Sequence, residues 1–511
     1  MQTLRKNWLP LTIIVIGFAA SLALALAPFD FLLRNLLQDD SFYYFQIARN
    51  IAHGLGSTFD GVNATNGYHP LWLLTLVPIY AYFSAPIIMD AAPIHAALVL
   101  SALFNAGIGF ILLAIVSRYT SNMWIKALAL GVWFFNPFNL YTLADGLETA
   151  LSIFFIALFF LSVLRYRERR TFLSLAIAGV VGGLMMLARL DNVFYFITFL
   201  LWLLYDEGYR AGIRNILRVG IVATIVVSPW LAFNFLTFGM LLTSSSLAYT
   251  IVNHQLIVQD HGPSLFQQFK AVIFSSDYAL RQYVIPRTGA PAVFLVLAGL
   301  SAGLFLFSDR LRKRFTQCVP AEIFLAGGLL LIFIVNASIR WSVREWYFMA
   351  LNLFLAVWIA WLLEKLRESG KLRTSIVIII ACFTLSLYYI SWSKYLRNVW
   401  GTPELVTAAL WVNDNIPKGA TIGSFNAGIQ GYFSTHRVIN LDGLVNNAAL
   451  TALRQKDMWS YIQSEKIQYL VDMDQYYKYR YKSFLGVDNI FDHLELLYEE
   501  PITKTHVYRV K

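Results

Sequence analysis

The residue types able to do chemistry gather in one polar stretch, Asp39 to Trp72, that follows the first apolar run. The stretch opens on adjacent carboxylates, Asp39 and Asp40, and closes on Tyr68-His69-Pro70 and Trp72. A carboxylate beside a substrate hydroxyl can take its proton as the oxygen attacks, which is general-base catalysis. A second carboxylate can orient the first, or hold a divalent cation (Mg or Mn) that offsets charge on a leaving group. Neighbours at the start of a helix point different ways, so only one of Asp39 and Asp40 is expected to face a reaction. The structural alternative is an Asp pair that caps a helix, because Asp favours the N-cap and first turn.

Further polar residues fit the same chemistry. Asp145 and Glu148, in ADGLETAL, stand three apart and share a face if that segment is helical. They either complete an acidic cluster, with a cation held at Asp40, Asp145 and Glu148, or place favourable charge at a helix start. His69, Arg189 and Arg344 are candidate phosphate ligands, since an Arg fork pairs with phosphate oxygens and His is partly charged near neutral pH. Each has a plainer reading: a packed or capping His69, Arg189 snorkelling to a membrane surface, and Arg344 paired with Glu345. Tyr43, Tyr68, Ser245 and Tyr347 are further candidates for a cavity wall. The sequence contains no phosphate-binding P-loop, Rossmann glycine pattern, HExxH or Cys cluster.

The elements that must hold these residues are membrane spans. Of 511 residues, 58% are hydrophobic and 14% charged, against about 25% charged in soluble domains. Apolar runs of helical length recur at 11–28, 94–117, 124–141, 149–164, 172–188, 192–205, 219–236, 291–308, 321–337, 346–363 and 374–392. They predict a polytopic α-helical membrane protein of about eleven spans. The first run is read as an uncleaved span rather than a signal peptide. Basic clusters lie at Arg5-Lys6, Arg118 with Lys126, Arg165 to Arg170, Arg210 to Arg218, Arg310 to Arg314 and Lys365 to Arg373. One set of crossings puts all of them, and the N-terminus, in the cytoplasm. The apolar piece Leu71 to Phe83 then has both ends outside, and is expected to be a re-entrant or surface-lying (juxtamembrane) helix. The net charge of +10 is read as membrane anchoring, with no nucleic-acid partner. Cys318 and Cys382 suggest neither a disulfide framework nor a thiolate metal site.

Beyond Trp392 the composition changes. Residues 1–392 are read as the transmembrane domain, and 393–511 as a small α/β domain outside the membrane. TPELVTAALWVNDNIPKG reads as an amphipathic helix, and ATIGSF, RVINLDG and IQYLVD read as short strands.

The ordered blocks resemble the GT-C superfamily of membrane glycosyltransferases, in particular the bacterial relatives of protein O-mannosyltransferases and of aminoarabinose and arabinofuranosyl transferases. The blocks are Asp39-Asp40 past the first span, SFYYFQIARNIAHG, TNGYHPLW, ADGLETAL, LARLDNVF and, in the C-terminal domain, INLDGLVN. The resemblance implies inverting transfer of a sugar from a polyprenyl-phosphate donor to a glycan, lipid or protein acceptor, in the cell membrane on its extracytoplasmic side. It places the base at Asp39 or Asp40 and the second-loop acids at Asp145 and Glu148. It also puts His69 where some relatives carry a basic residue before prolines that contacts the lipid phosphate. The rival readings are a secondary transporter or flippase of an anionic lipid or sugar, and a scaffold. Transporters commonly show related halves, and none is visible here.

Overall fold

Twenty apolar residues in a helix, rising about 1.5 Å each, cross a hydrocarbon layer of about 30 Å. In the computed structural model, which describes residues 2–83, 90–268, 270–271, 321–338, 345–368 and 402–511, several helices meet that length. Among the described residues six are long and apolar enough: Asn7–Ala25, Ala92–Val116, Thr149–Arg169, Leu190–Phe238, Ala321–Ser338 and Trp346–Glu368. The helices Pro70–Tyr82, Met123–Phe134 and Phe172–Ala188 are apolar but shorter. The runs at 291–308 and 374–392, the Arg310 to Arg314 cluster, both cysteines and Arg344 lie outside the described residues.

One departure from the expected spans has a local cause. The run 124–141 is not one helix, because Asn136 caps a new start and Pro137 supplies its first position, giving Met123–Phe134 and Pro137–Thr142. The runs 192–205 and 219–236 are two helices, as expected, within Val193–Phe238, parted at Gly208, where φ is 75°. The Leu71 piece is a 13-residue helix begun by Pro70, too short to cross, as expected.

Buried polar side chains tie the spans together. Asn105 donates to Ser21 at 2.9 Å and accepts from the Trp133 indole at 2.9 Å, which links three helices through one amide. Asn352 donates to Asn139 at 2.7 Å. In an apolar interior each such group must find a partner, so these contacts fix register as well as contact.

Residues 402–511 form helices around a five-stranded sheet of order β2-β1-β3-β5-β4. The strands are β1 (Thr421–Ser424), β2 (Arg437–Asn440), β3 (Tyr469–Met473), β4 (Leu494–Glu499) and β5 (Thr505–Val510). β1 pairs parallel to β2 and to β3, and β5 pairs antiparallel to β3 and β4. The sheet sits on the first-loop helix Asp39–Ala52 through the short helix Ala427–Phe433. Phe42 packs against Tyr432 and Phe433 with ring centres 5.4 and 5.3 Å apart. Ala427, Ile429, Tyr432 and Phe433 therefore belong to the same hydrophobic cluster as the membrane helices, while the far side of the sheet has its own core.

A second seam runs through Asn66-Gly67. Asn66 donates to Asn234 at 3.1 Å and accepts from the Ser244 amide at 3.2 Å and from Asn447 at 3.4 Å. A Cβ on Gly67 would lie 1.8 Å from the Leu444 carbonyl oxygen, so only glycine lets the two backbones approach. The TNGYHPLW block is thus the joint between the first loop, the helix Ser244–His261 and the C-terminal sheet.

Candidate active site

Between the spans and the sheet lies a cavity of about 450 Å³. Its floor is set by the first-loop helix, whose N-terminus carries the Asp pair. The two aspartates diverge, as neighbours on a helix must. Asp40 is exposed and lines the cavity. Asp39 is half-buried and faces the other way, accepting the amides of Gly428 and Ile429 at 3.1 and 2.7 Å. It caps the helix Ala427–Phe433 and latches the C-terminal sheet to the first loop. Desolvation pushes Asp39 up to about 7, against the two amide bonds that favour its ionised form.

That latch depends on Gly428. A Cβ there would lie 2.2 Å from the Asp39 carbonyl oxygen and 2.8 Å from its carboxylate Oδ2. Gly428→Ala is expected to cost about 1–3 kcal/mol through overpacking. The readout is a lower melting temperature together with faster proteolysis between the spans and the sheet. Wild-type melting and protease resistance would show that the junction is not held this way.

The cavity wall carries a second charged group. Arg189, 7% exposed, follows the helix Phe172–Ala188. Its Nε donates to Asp191 at 2.8 Å, its Nη1 lies 3.3 Å from Glu148, and its guanidinium stacks 4.4 Å over the Tyr347 ring. Burial opposes the Arg189 charge, but Asp191 and Glu148 outweigh it and raise its pKa. Snorkelling is excluded by this burial. Glu148 also accepts from the Tyr44 hydroxyl at 2.8 Å, and the same hydroxyl accepts the His69 amide at 3.2 Å.

His69 stands at the start of Pro70–Tyr82 and lines the cavity. Its Nδ1 accepts the Leu190 amide at 3.2 Å, which fixes the tautomer with Nε2 as donor. Nε2 lies 3.6 Å from Glu148. His69, Tyr44 and Arg189 therefore converge on one carboxylate.

Asp145 does not join them. It is 2% exposed, accepts the Leu147 amide at 2.8 Å and the Thr149 hydroxyl at 3.4 Å, and is absent from the cavity wall. The helix it was expected to start begins at Thr149, because Gly146 turns the chain with φ of 80°. Asp145 builds that turn and Glu148 alone reaches the cavity, so the carboxylates at 40, 145 and 148 are not brought together. Among the described residues no group of three His, Cys, Asp or Glu is placed to hold a metal ion.

Tyr43, Tyr68, Ser245 and Tyr347 all line the cavity. The Tyr43 hydroxyl accepts the Ala427 amide at 3.1 Å and lies 3.4 Å from Asp442. Tyr68 shares a 2.6 Å hydrogen bond with Ser57, and Ser245 donates to Thr243 at 3.1 Å.

Sequence reasoning missed Tyr44, Asp191, Asp442, Tyr476 and Arg480, all of which line the cavity. Asp442 lies in the INLDGLVN block just past β2, where the carboxyl end of a parallel strand commonly carries ligand-binding residues. That position was the available signal. Burial pushes Asp442 up to about 7, and nearby Asp40 adds to the shift.

A family model described as a domain of unknown function (DUF8728) matches residues 396–507. A comparison with curated proteins gives no match. Among solved structures, the chain is similar to ArnT from Cupriavidus metallidurans bound to undecaprenyl phosphate, with a TM-score of 0.60, 12% identity and 97% of each chain covered. The same protein in the apo state gives 0.58, 13% and 97% of each chain. It is also similar to the archaeal oligosaccharyltransferase AglB from Archaeoglobus fulgidus, in complex with an inhibitory peptide and a dolichol-phosphate. That match has a TM-score of 0.53 and 14% identity, and covers 99% of this chain and 75% of that one. The chain shares the fold of these solved structures and is a multi-pass membrane protein.

Proposed function

We propose that the chain is an inverting glycosyltransferase that moves a sugar from a polyprenyl-phosphate donor to an acceptor on the extracytoplasmic side of the cell membrane. The observation that carries this reading is the placement of Asp40. It is the member of the Asp pair that enters the cavity, which the Glu148–Arg189–Asp191 group also lines, where spans meet the sheet. The solved neighbours that bind undecaprenyl phosphate or dolichol-phosphate support a donor of that class.

In this reading the acceptor hydroxyl oxygen attacks the anomeric carbon from the face opposite the phosphate. The new C–O bond forms as the bond from carbon to phosphate oxygen breaks, so the configuration inverts. Asp40 takes the hydroxyl proton, and the polyprenyl phosphate leaves with the bonding electron pair. Arg189 lines the cavity beside the apolar Leu190, Val193 and Phe194, and in this reading it contacts the donor phosphate. It is held in place by two carboxylates and a ring, so it meets the phosphate without rearranging. His69 keeps Glu148 and the Arg189 group aligned through its Nε2. A divalent cation held by Asp40, Asp145 and Glu148 does not fit the described side chains, and no step is routed through one.

Thermal melting of the purified protein in detergent, with undecaprenyl phosphate and with undecaprenol, tests the donor class. A ligand bound only by the folded form stabilises it by about 2.7 kcal/mol at a hundredfold excess over Kd. The phosphate is expected to raise the melting temperature and the alcohol is not. Equal shifts, or none, would refute a phosphate-reading donor site.

A further inference from the structure

We infer that the half of the cavity formed by the carboxyl ends of β1, β2 and β3 is the acceptor subsite, and that the acceptor is a carbohydrate. This rests on the glycosyl-transfer reading above and names the class of its second substrate.

The first support is topology. In α/β sheets with parallel strands, ligands sit in the crevice at the carboxyl ends, where the strand order reverses. Here β1 lies between β2 and β3 and runs parallel to both. The segment after each strand reaches the cavity: Asn426 after β1, Asp442 after β2, and Tyr476 and Arg480 after β3.

The second support is a local distortion. Tyr476–Arg480 is a π-helical turn, closed by the Tyr481 amide donating to the Tyr476 carbonyl at 2.8 Å. Such wide turns are rare and concentrate at functional sites. Tyr476 and Arg480, four apart on this turn, share a face, and both line the cavity.

The third is chemistry. This half offers the ring of Tyr476, set 6.0 Å from Tyr481 at 26°, with an amide, a carboxylate and a guanidinium beside it. An aromatic face packs on the C–H face of a sugar, while Asn, Asp and Arg supply acceptors and donors for its hydroxyls. Asp442, pushed up to about 7 by burial, can serve in either sense. Arg480 is offset by Asp442, so this half has no excess positive charge with which to select a polyanion.

Geometry links this half to the reaction. The donor's isoprenoid tail must lie along apolar spans, where Val193, Phe194 and Val335 line the cavity. That leaves the sheet side for the soluble substrate. Tyr43 joins the two halves: its hydroxyl is 3.4 Å from Asp442, and it stands three residues, about one turn, after Asp40. A sugar hydroxyl held beside Asp442 therefore comes next to Asp40.

The test is retention of the full-length protein, in lipid nanodiscs, on arrayed glycans and arrayed peptides, with undecaprenyl-phosphate melting shifts measured on the same preparations. Wild type is expected to bind a subset of glycans. Tyr476→Ala and Arg480→Gln should each weaken that binding by about tenfold or more, a change of roughly 1.4 kcal/mol. Tyr476→Phe should keep it, and the undecaprenyl-phosphate shift should be unchanged in all three. Arg480→Gln decides the matter if Tyr476→Ala does not fold. No glycan retained, glycans retained equally by both weakening variants, or peptides retained in their place would overturn the proposal. Glycan binding that behaves as expected in a protein with no undecaprenyl-phosphate shift would sink the donor reading and leave the carbohydrate site standing.

Discussion

Asp40→Asn is expected to lower sugar transfer by roughly 10²–10⁴-fold, the usual contribution of a positioned general base. The reason is placement. Asp40 opens into the cavity, while Asp39 is turned onto the amides of Gly428 and Ile429. Asn at 40 keeps the size of the side chain but removes the basic oxygen, so donor binding should persist while transfer falls. Asp39→Asn should act on the fold instead. Each Asp39 oxygen accepts one amide, and Asn has only one acceptor oxygen, so an N–H would face an N–H. That costs about 1–3 kcal/mol of stability. The measurement is turnover per folded molecule for each variant, with melting temperature and the undecaprenyl-phosphate shift as controls. Wild-type turnover in Asp40→Asn, or a deeper loss per folded molecule in Asp39→Asn, would move the base elsewhere.

The division between the two aspartates shows what the sequence carries and what it does not. A helix beginning at Asp39, with the pair pointing apart, follows from residue type and periodicity. Which of the two faces the cavity is decided by Gly428, 389 positions further along the chain. No local pattern reports that contact. The apolar runs were legible wherever length and composition alone decide, as in 172–188, which matches Phe172–Ala188. They misled at Pro137, which starts a new helix inside one apolar run. Asp145 was misplaced because its pairing with Glu148 assumed a 3.6-residue period across the turn at Gly146. Arg480 escaped notice because nothing in its local sequence marks the turn after β3 as part of a cavity. Three strands of the sheet were read from their apolar character, and β4 and β5 were not. β4 alternates poorly, with Glu495 and Leu496 both exposed.

The Arg189 group is where stability and chemistry are coupled most tightly. Arg189→Ala is expected to destabilise the protein by about 3–5 kcal/mol, the cost of stranding a buried partner of an ion pair. Glu148 and Asp191, 5% and 7% exposed, would then face each other without the cation between them. Tyr44 and His69 would still reach Glu148, but neither carries a fixed positive charge. Arg189→Lys should recover part of the loss. It restores the charge but not the fork that reaches both carboxylates, nor the flat face stacked on Tyr347. The double variant Arg189→Ala with Glu148→Gln isolates the cause. If the cost comes from an unpaired carboxylate, neutralising Glu148 returns a large part of it, and the two changes are strongly non-additive. Melting temperatures of the four proteins in the same detergent give the coupling directly. Additive losses would mean that Arg189 stabilises the fold through Asp191 and Tyr347 and not through Glu148.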